Sequence, residues 1–433
     1  MTPIPKTKAR LTIIGTGMAG MAGMAAACFA SANHIDTVQV GVNSGMIYSS
    51  GFLDLMGVHP VESGKVWDNP WDAIEQLISD APNHPYARLS RSDIRAAMDQ
   101  FMAFLSAAER PYVADKNQNT EVITPVGTVK PTYAVPRSMW AGAKALKEKQ
   151  SCLIVDFWGL KAFSAKQIAD MLTPRWPAIR YLRVSFPAVG PSADLYPEHM
   201  ARSLEIESNR IALADAIRPD LGDAMALGLP AILGIYKPRE VREHLEELLG
   251  VAVFEIPTIP PSVPGTRLKE ALDKRLVAGG IRMFAQKRVV TAEVQKNGSF
   301  VLSVGDRATG DVEHIIESDG VILAGGRFLG MGLHAGRKAI REPLFDLPVF
   351  QPPDRALWHQ TNFFDPRGHG INQAGLEIDA LFRPTDLAGR PVYDTLFAAG
   401  SILAHQDWMR QKCGAGLAIA TAYGAVKAFQ KML

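Results

Sequence analysis

A glycine-rich turn near the start of the chain constrains the fold more than any other feature. The apolar segment Leu11–Ile14 leads into Gly15, Gly17 and Gly20, and the small-residue run Met21–Ala32 follows. In this G-x-G-x-x-G pattern the first glycine permits a tight turn and the second lets the backbone approach a pyrophosphate. The third lets the helix pack closely on its strand. The pattern predicts a strand, a turn and a helix whose first N–H groups face phosphates.

A second glycine pair follows a later buried strand. We expect a three-stranded meander over residues 287–295, 299–304 and 312–317, with an Asn-Gly turn after its first strand. The meander leads into the apolar run 320–324, which ends in Gly325 and Gly326. A buried apolar strand belongs in a parallel sheet, so we place this run beside Leu11–Ile14.

A third glycine cluster lies near the end of the sequence. An apolar strand ends in Gly400, and a small-residue helix begins at Gly414 and Gly416. An N-terminal dinucleotide turn combined with such a late strand and helix is typical of flavoproteins. The fold class that we predict is therefore α/β: a two-dinucleotide-binding-type flavoprotein with a Rossmann-like parallel sheet, a β-meander and an inserted α/β domain.

The domain boundaries follow from this arrangement. We expect a discontinuous flavin-binding domain from residues 1–58, 266–345 and 391–433, and an inserted α/β domain for substrate or partner from residues 59–265. The proline-rich stretch 257–268 is the sharpest linker in the sequence. Residues 346–390 are expected to form an irregular crossover near the active site.

Composition excludes several classes of function. Lys6, Lys8 and Arg10 before an apolar run imitate a signal peptide, but the spaced glycines and the second strand at 37–42 favour a folded domain. A net charge of +2 produces no field that would attract nucleic acid. The three cysteines are too far apart for a zinc or iron–sulfur motif, so no metal site is predicted. No run of residues is apolar enough for a membrane span, which predicts a soluble chain.

Several further segments extend the pattern along nearly the whole chain, and with them the sequence resembles the B subunit of bacterial anaerobic glycerol-3-phosphate dehydrogenase. The matching segments are Tyr48–Asp54, Thr124–Gly127, Leu229–Gly234, Pro257–Gly265, Asn372–Asp379, Phe382–Pro384, Leu396–Gly400 and Gln411–Gly416.

The resemblance implies oxidation of glycerol 3-phosphate to dihydroxyacetone phosphate. It also implies a second flavoprotein subunit and a cysteine-rich iron–sulfur subunit that joins both to the membrane quinone pool. The expected location is cytoplasmic, at the inner membrane through that partner. Two other functions stay open: a non-catalytic electron-relay or scaffold subunit, and a flavin oxidase or reductase acting on another small substrate.

The identity of the flavin is open at this stage. The place of the usual ribose-binding acid is taken by Asn43, a weaker partner that suits FMN, whereas the Gly15 turn suits the pyrophosphate of FAD. FAD and FMN are therefore weighed about evenly, and NAD is disfavoured. Ser49, Ser50 and Gly51 are further candidate cofactor contacts. No Cys or His stands in a recognised linkage context, so we expect a non-covalent flavin.

Hydride removal from a phosphorylated alcohol needs a base and a cationic clamp. The candidates near the cofactor-binding end of the sequence are Arg327, Arg367, His369, His405 and Arg410. Each has a plainer interpretation, because arginines are mostly solvated surface groups and a loop histidine often only satisfies backbone carbonyls.

The reduced flavin must pass its electrons to another protein, because the chain has no iron–sulfur or haem motif. We therefore expect an exposed apolar docking patch. The segment Trp67–Trp71 is the first candidate for this patch.

Overall fold

The computed structural model describes residues 3–15, 21–41, 43–187, 194–306 and 308–433, without the side chains of residues 43 and 44. Gly17, Gly20 and the side chain of Asn43 thus lie outside the described residues. Within the described residues the strands are β1 (Lys6–Ile14), β2 (Thr37–Gly41), β3 (Tyr112–Ala114), β4 (Thr120–Ile123), β5 (Val129–Thr132), β6 (Ala134–Pro136), β7 (Cys152–Phe157), β8 (Ile179–Val184), β9 (Ala226–Pro230), β10 (Ala252–Ile256), β11 (Arg282–Ala285), β12 (Lys287–Val294), β13 (Phe300–Asp306), β14 (Val312–Leu323), β15 (His334–Ala335), β16 (Ile340–Arg341) and β17 (Leu396–Ala398).

The helices of the same residues are α1 (Met21–Ala32), α2 (Pro70–Asp80), α3 (Arg91–Ala107), α4 (Trp140–Glu148), α5 (Ala165–Leu172), α6 (Pro197–Ser203), α7 (Glu207–Leu221), α8 (Pro238–Leu249), α9 (Val263–Ala278), α10 (Trp408–Gln411) and α11 (Gly414–Gln430). Short 3-10 turns occur among them, including Asn43–Tyr48, Pro85–Arg88, Gly370–Gln373 and Gly400–Ile402.

Contacts divide the chain into two compact units. The first unit contains residues 1–46, 53–109 and 271–433, and the second contains residues 47–52 and 110–270. This division differs from the expected domain boundaries, since residues 59–109 group with the first unit. The expected linker over residues 257–268 runs into a helix, because α9 begins at Val263, includes Pro264 and continues to Ala278. Proline is compatible with a first helical turn, where N–H groups have no helical partner.

The first unit is built on a seven-stranded sheet of order β11-β2-β1-β14-β13-β12, with β17 also paired to β14. Strands β11, β2, β1, β14 and β17 are parallel, whereas β12, β13 and β14 form the antiparallel meander. The predicted pairing of Leu11–Ile14 with the strand before Gly325 is confirmed, because Thr12 pairs with Val321 and Ile14 with Leu323. This sheet confirms the predicted fold class.

Strand β14 corrects one sequence expectation. The sequence predicts separate strands over residues 312–317 and 320–324, yet Val312–Leu323 is one continuous strand. Most of its length pairs with β1, while its other edge pairs first with β13 and then with β17. Because one strand belongs to both the meander and the parallel sheet, no turn is needed between them.

The second unit has its own four-stranded parallel sheet, of order β10-β9-β7-β8. Strand β7 is buried along all six residues, as a central parallel strand must be when helices cover both faces. Helix α8 begins with Pro238 and ends at Gly250 in the left-handed conformation, as its sequence predicts. The β3–β6 and β4–β5 pairs complete this unit.

Candidate active site

Three parallel strands of the first unit end at one edge of the sheet, where ligands bind in open α/β folds. The last residues of β1, β14 and β17 are Ile14, Leu323 and Ala398. Gly15 follows β1 with φ +96°, and a Cβ atom on it would lie 2.4 Å from the Cα of Gly325. No side chain fits between these two backbones, so the edge presents bare backbone to a ligand.

The turn after β14 is equally crowded. Gly326 has φ +70°, and a Cβ atom on Gly332 would lie 2.1 Å from the Gly326 carbonyl oxygen. The backbone N–H of Gly332 donates to the Arg327 carbonyl over 3.1 Å. The chain therefore folds back on itself at the sheet edge without filling the edge with side chains.

Gly400 lies where β17 meets the two small-residue helices. It has φ +80°, and a Cβ atom on it would lie 2.5 Å from the Cβ of Ala22 on α1. Its N–H donates to Thr421 Oγ1 of α11 over 2.9 Å. The close packing of α1 against α11 thus depends on an absent side chain at this position.

The first turn of α11 has no side-chain cap. It contains no acidic residue, and its N-cap residue Cys413 makes no side-chain capping hydrogen bond. Gly416 donates to the Asp54 carbonyl over 2.7 Å, and a Cβ atom on it would lie 2.7 Å from Leu55 Cα. A Cβ atom on Gly414 would lie 2.9 Å from the Trp408 ring. Free N–H groups at a helix start favour negative charge, so the donors present here fit a flavin.

Ser49, Ser50 and Gly51 group with the second unit, whereas the glycines at the sheet edge belong to the first. Gly51 accepts a hydrogen bond from the Tyr112 hydroxyl over 2.7 Å, and a Cβ atom on it would lie 3.0 Å from the Pro264 side chain. Protein packing alone therefore explains the glycine at this position.

The Arg327 guanidinium is bound entirely to backbone. Its Nε donates to the Ser401 carbonyl over 2.8 Å, its Nη1 to the Asn372 carbonyl, and its Nη2 to the Gln406 carbonyl over 3.2 Å. Burial lowers the pKa of Arg327 to about 10, against the opposing charge of Asp407. These contacts use three of the five guanidinium N–H groups and connect the turn after β14 to two loops.

Arg367 and Arg410 both contact Asp365. Arg367 forms a two-pronged ion pair with the Asp365 carboxylate, with both N–O distances at 2.9 Å. Its guanidinium lowers the pKa of Asp365 to about 2. Arg410 donates to the Asp365 carbonyl and lies 3.9 Å from the carboxylate of Asp407. Both cations are thus used in holding this loop together.

His369 has both ring nitrogens occupied. Its Nδ1 accepts a hydrogen bond from the Gln360 N–H over 3.0 Å, so its Nε2 carries the proton and donates to the Phe363 carbonyl over 3.0 Å. With no free acceptor nitrogen, this histidine is suited to a structural part in the loop.

His405 is the exception among the predicted residues. Its Nε2 lies 2.8 Å from Glu377 Oε1, and its ring lies 4.1 Å from the Phe350 ring between centroids. An ionised carboxylate only accepts, so Nε2 carries the proton and Nδ1 is an acceptor without a partner in the described residues. Sequence reasoning missed Glu377, although it lies in the segment Asn372–Asp379 that carries the family resemblance.

The prediction that Trp67–Trp71 forms an exposed docking patch is wrong. Trp71 is only 1% exposed and packs in the core of the first unit beneath Arg95. The Trp67 indole N–H donates to the His59 carbonyl over 2.6 Å, and Lys65 covers its ring. Trp71 is therefore not displayed to a partner, and Trp67 is half-buried in its own loop.

The sheet, the bare strand ends and the open helix start define a flavoprotein, and a family model confirms this class. Residues 11–417 match the FAD binding domain. The match names FAD and gives no support to FMN as an equal alternative, so the weak ribose partner at Asn43 does not indicate FMN.

Full-length relatives then give the particular family. A protein from Halobacterium salinarum, named as the probable B subunit of an anaerobic glycerol-3-phosphate dehydrogenase, is 33% identical, with 96% of this chain and 97% of that protein covered. A protein from Vibrio cholerae serotype O1, named as the B subunit of the same type of enzyme, is 30% identical over 96% of this chain and 95% of its own. This chain belongs to the family of B subunits of anaerobic glycerol-3-phosphate dehydrogenase, which confirms the predicted flavin-dependent oxidoreductase.

Among solved structures, 3-ketosteroid delta1-dehydrogenase from Sterolibacterium denitrificans aligns with a TM-score of 0.44 and 12% identity, over 98% of this chain and 100% of its own. A similarity this weak supports no conclusion about the present chain. In the described part of the chain, no helix combines the length and the apolarity that a membrane crossing requires.

Proposed function

We propose that this chain carries FAD and oxidises sn-glycerol 3-phosphate to dihydroxyacetone phosphate. The electrons then pass through an iron–sulfur partner to the membrane quinone pool. The names of relatives that align along nearly the whole chain support the substrate, and the word subunit in those names supports an assembly with partner proteins.

The His405–Glu377 pair is the feature of this chain that best supports oxidation of an alcohol. His405 lies on the connection from β17 to α11, and its Nε2 contacts Glu377. Glu377 fixes the proton on Nε2 and so directs the basic Nδ1 away from itself. A carboxylate-oriented imidazole is the usual arrangement of a general base.

The reaction requires the C2–H bond and the O–H bond of the substrate to break. Bound FAD supplies the acceptor for the hydrogen and the electron pair that leave C2. His405 takes the hydroxyl proton at Nδ1, and Glu377 stabilises the imidazolium that results. The contact with the Phe350 ring holds the imidazole in place while the proton moves.

The proposed cofactor contacts are backbone groups of the first unit. Gly15, Gly325 and Gly326 place bare backbone at the sheet edge, and the first turn of α11 at Gly414 supplies N–H donors. Arg327 holds the surrounding loops in position through three backbone carbonyl groups.

Electron transfer out of the chain requires a partner. The three cysteines are buried and separate, and burial raises the pKa of the Cys413 thiol. Such thiols do not ligate an iron–sulfur cluster in this chain. A cysteine-rich iron–sulfur subunit, together with a second flavoprotein, is the partner set that we propose.

Anaerobic mixing of the purified FAD-bound chain with sn-glycerol 3-phosphate tests the activity. We expect flavin absorbance to bleach, and the His405→Gln variant to keep its flavin while losing most of the bleaching rate. Bleaching at the wild-type rate in that variant contradicts the assignment of His405.

A relay subunit is the second candidate, and one observation favours it. Arg327, Arg367 and Arg410 all donate to protein acceptors, so the clamp expected from the sequence is not assembled from them. Bleaching that requires the second flavoprotein supports the relay. Bleaching by the isolated chain supports the catalytic subunit.

A further inference from the structure

An open cleft in the first unit contains the His405–Glu377 pair. Its lining residues are Asn83, Pro85, Arg88, Leu376, Glu377, Ile378, Ala404 and His405. The lining combines apolar side chains with the polar side chains of Asn83, Arg88, Glu377 and His405. A concave site with apolar walls and a few convergent polar groups is typical of small-molecule binding.

The Arg88 side chain is a cation without a partner among the described residues. It makes no hydrogen bond or ion pair with any of them, and its Nε is buried. A guanidinium carries five N–H donors, and a buried donor left unbound is costly. Glu377 is the only acidic residue among those that line the cleft, and it binds His405 instead. An anion that enters the cleft would supply a partner for this guanidinium.

The wall that carries Arg88 is rigidly anchored. Arg88 ends the 3-10 turn Pro85–Arg88, which begins where His84 Nδ1 accepts the Tyr86 N–H over 3.2 Å. Tyr86 is fully buried, and its hydroxyl donates to the Leu55 carbonyl over 2.8 Å. A Cβ atom on Gly416 would lie 2.8 Å from that hydroxyl, so this wall packs against the first turn of α11.

The opposite wall is held by backbone pairing. Leu376 donates to the Ile402 carbonyl and Ala404 donates to the Leu376 carbonyl, each over 2.9 Å. His405, at φ +60°, donates its N–H to the Gln373 carbonyl over 2.9 Å. The imidazole and the guanidinium are thus presented to one cleft by two fixed segments.

We propose that Arg88 binds the phosphate of a small phosphorylated alcohol in this cleft, with Asn83 as a second donor, while the hydroxyl faces His405. Leu376, Ile378 and Pro85 cover the carbon chain. This assignment rests on the proposed function and adds the phosphate-binding group that the sequence candidates do not provide. A charge-assisted contact between guanidinium and phosphate is specific for the dianion over an uncharged polyol.

Binding of inorganic phosphate to the FAD-bound chain, measured by calorimetry, tests Arg88 without turnover. Arg88→Gln is expected to raise the phosphate Kd by about 30-fold, the scale of one charge-assisted hydrogen-bond pair. Arg91→Gln is the matched control, because Arg91 lies close in sequence but pairs with the exposed Glu75 instead of lining the cleft. Its phosphate Kd should stay within about twofold of wild type, as for a surface pair.

A second experiment, with substrate in place of inorganic phosphate, distinguishes a failure of this proposal from a failure of the proposed function. In anaerobic bleaching, Arg88→Gln should need about 30-fold more sn-glycerol 3-phosphate for half its limiting rate, while glycerol binding is unchanged. Wild-type protein that binds phosphate through Arg88 but is never bleached overturns the function and keeps the anion site. Equal phosphate affinity in wild type and Arg88→Gln overturns the anion site.

A second variant decides the matter if Arg88→Gln loses its fold or flavin. Asn83 is exposed, so Asn83→Asp adds a negative charge to the cleft with little effect on packing. We expect it to weaken phosphate binding about tenfold through like-charge repulsion. An unchanged phosphate affinity in Asn83→Asp contradicts the proposal.

Discussion

Gly15 and Gly325 approach each other so closely that a Cβ atom on Gly15 would lie 2.4 Å from Gly325 Cα and 2.6 Å from its nitrogen. They follow β1 and β14, which are neighbouring parallel strands. The two bare strand ends form the part of the sheet edge that the cofactor is expected to reach. Filling the space between them is therefore a direct test of the site.

Gly15→Ala should destabilise the chain by about 3 kcal/mol and abolish flavin retention, because it adds both an unfavourable φ and a backbone clash. The matched control is Gly298→Ala, which has φ +83° but no atom within 4 Å of the added methyl. It should cost only about 1 kcal/mol and keep the flavin. Thermal unfolding and the ratio of flavin to protein absorbance measure both. Normal flavin content in Gly15→Ala would contradict the site.

Arg327→Met should destabilise the first unit by about 4 kcal/mol, because three part-buried carbonyl groups lose a charged donor. Arg327→Lys should recover only part of that loss, since one ammonium does not reach three carbonyls arranged around a planar guanidinium. Urea unfolding measures the loss. Wild-type stability together with a strongly raised KM would instead make Arg327 a substrate ligand.

Glu377→Gln should lower the rate of flavin reduction by about 100-fold with little change in substrate affinity, because the neutral amide no longer fixes the proton on Nε2 of His405 or stabilises the imidazolium. Stopped-flow bleaching at several substrate concentrations separates the two parameters. Asp394→Asn is a suitable control, because Asp394 is an exposed carboxylate that pairs with Arg383. An equal loss in both variants would indicate a general charge effect.

His84 should make the stability of the first unit depend on pH. Burial lowers the pKa of His84 to about 3, so the folded chain keeps it neutral while the unfolded chain protonates it near pH 6.5. Between about pH 3 and pH 6.5 the unfolded state binds one more proton than the folded state, so the free energy of unfolding falls as the pH drops below 6.5. The loss from this residue at pH 5 should be about 2 kcal/mol.

The comparison variant for that test is His84→Asn, whose side-chain oxygen is able to replace Nδ1 as the acceptor for the Tyr86 N–H. Urea unfolding at about pH 7 and about pH 5 should show the smaller pH-dependent loss in the variant. Equal losses would show that His84 is protonated in the folded chain or does not titrate in this window.

Local sequence signals were sufficient for the parallel sheet and its glycine turns. The buried run before Gly325 and the strand before Gly15 are short-range patterns, and their pairing follows from the preference of buried strands for a parallel sheet. The domain boundary was less accessible to such signals. The proline-rich pattern predicts a linker over residues 257–268, although the first turn of a helix accommodates a proline such as Pro264 without losing a hydrogen bond.

For the site, sequence by itself determined the class of protein, the glycines at the sheet edge and the presence of His405 on the last connection. Only the tertiary structure decided which charged groups are available for chemistry. Arg327 binds backbone carbonyls that are distant from it in the sequence, and His369 binds backbone groups of its own loop. Arg88, by contrast, is brought to the same cleft as His405 from a distant part of the sequence. Hydrogen-bond partners depend on three-dimensional geometry, which proximity along the chain does not specify. The type of a residue indicates which chemistry its side chain is able to perform, and its neighbours in space determine whether that side chain is free to perform it.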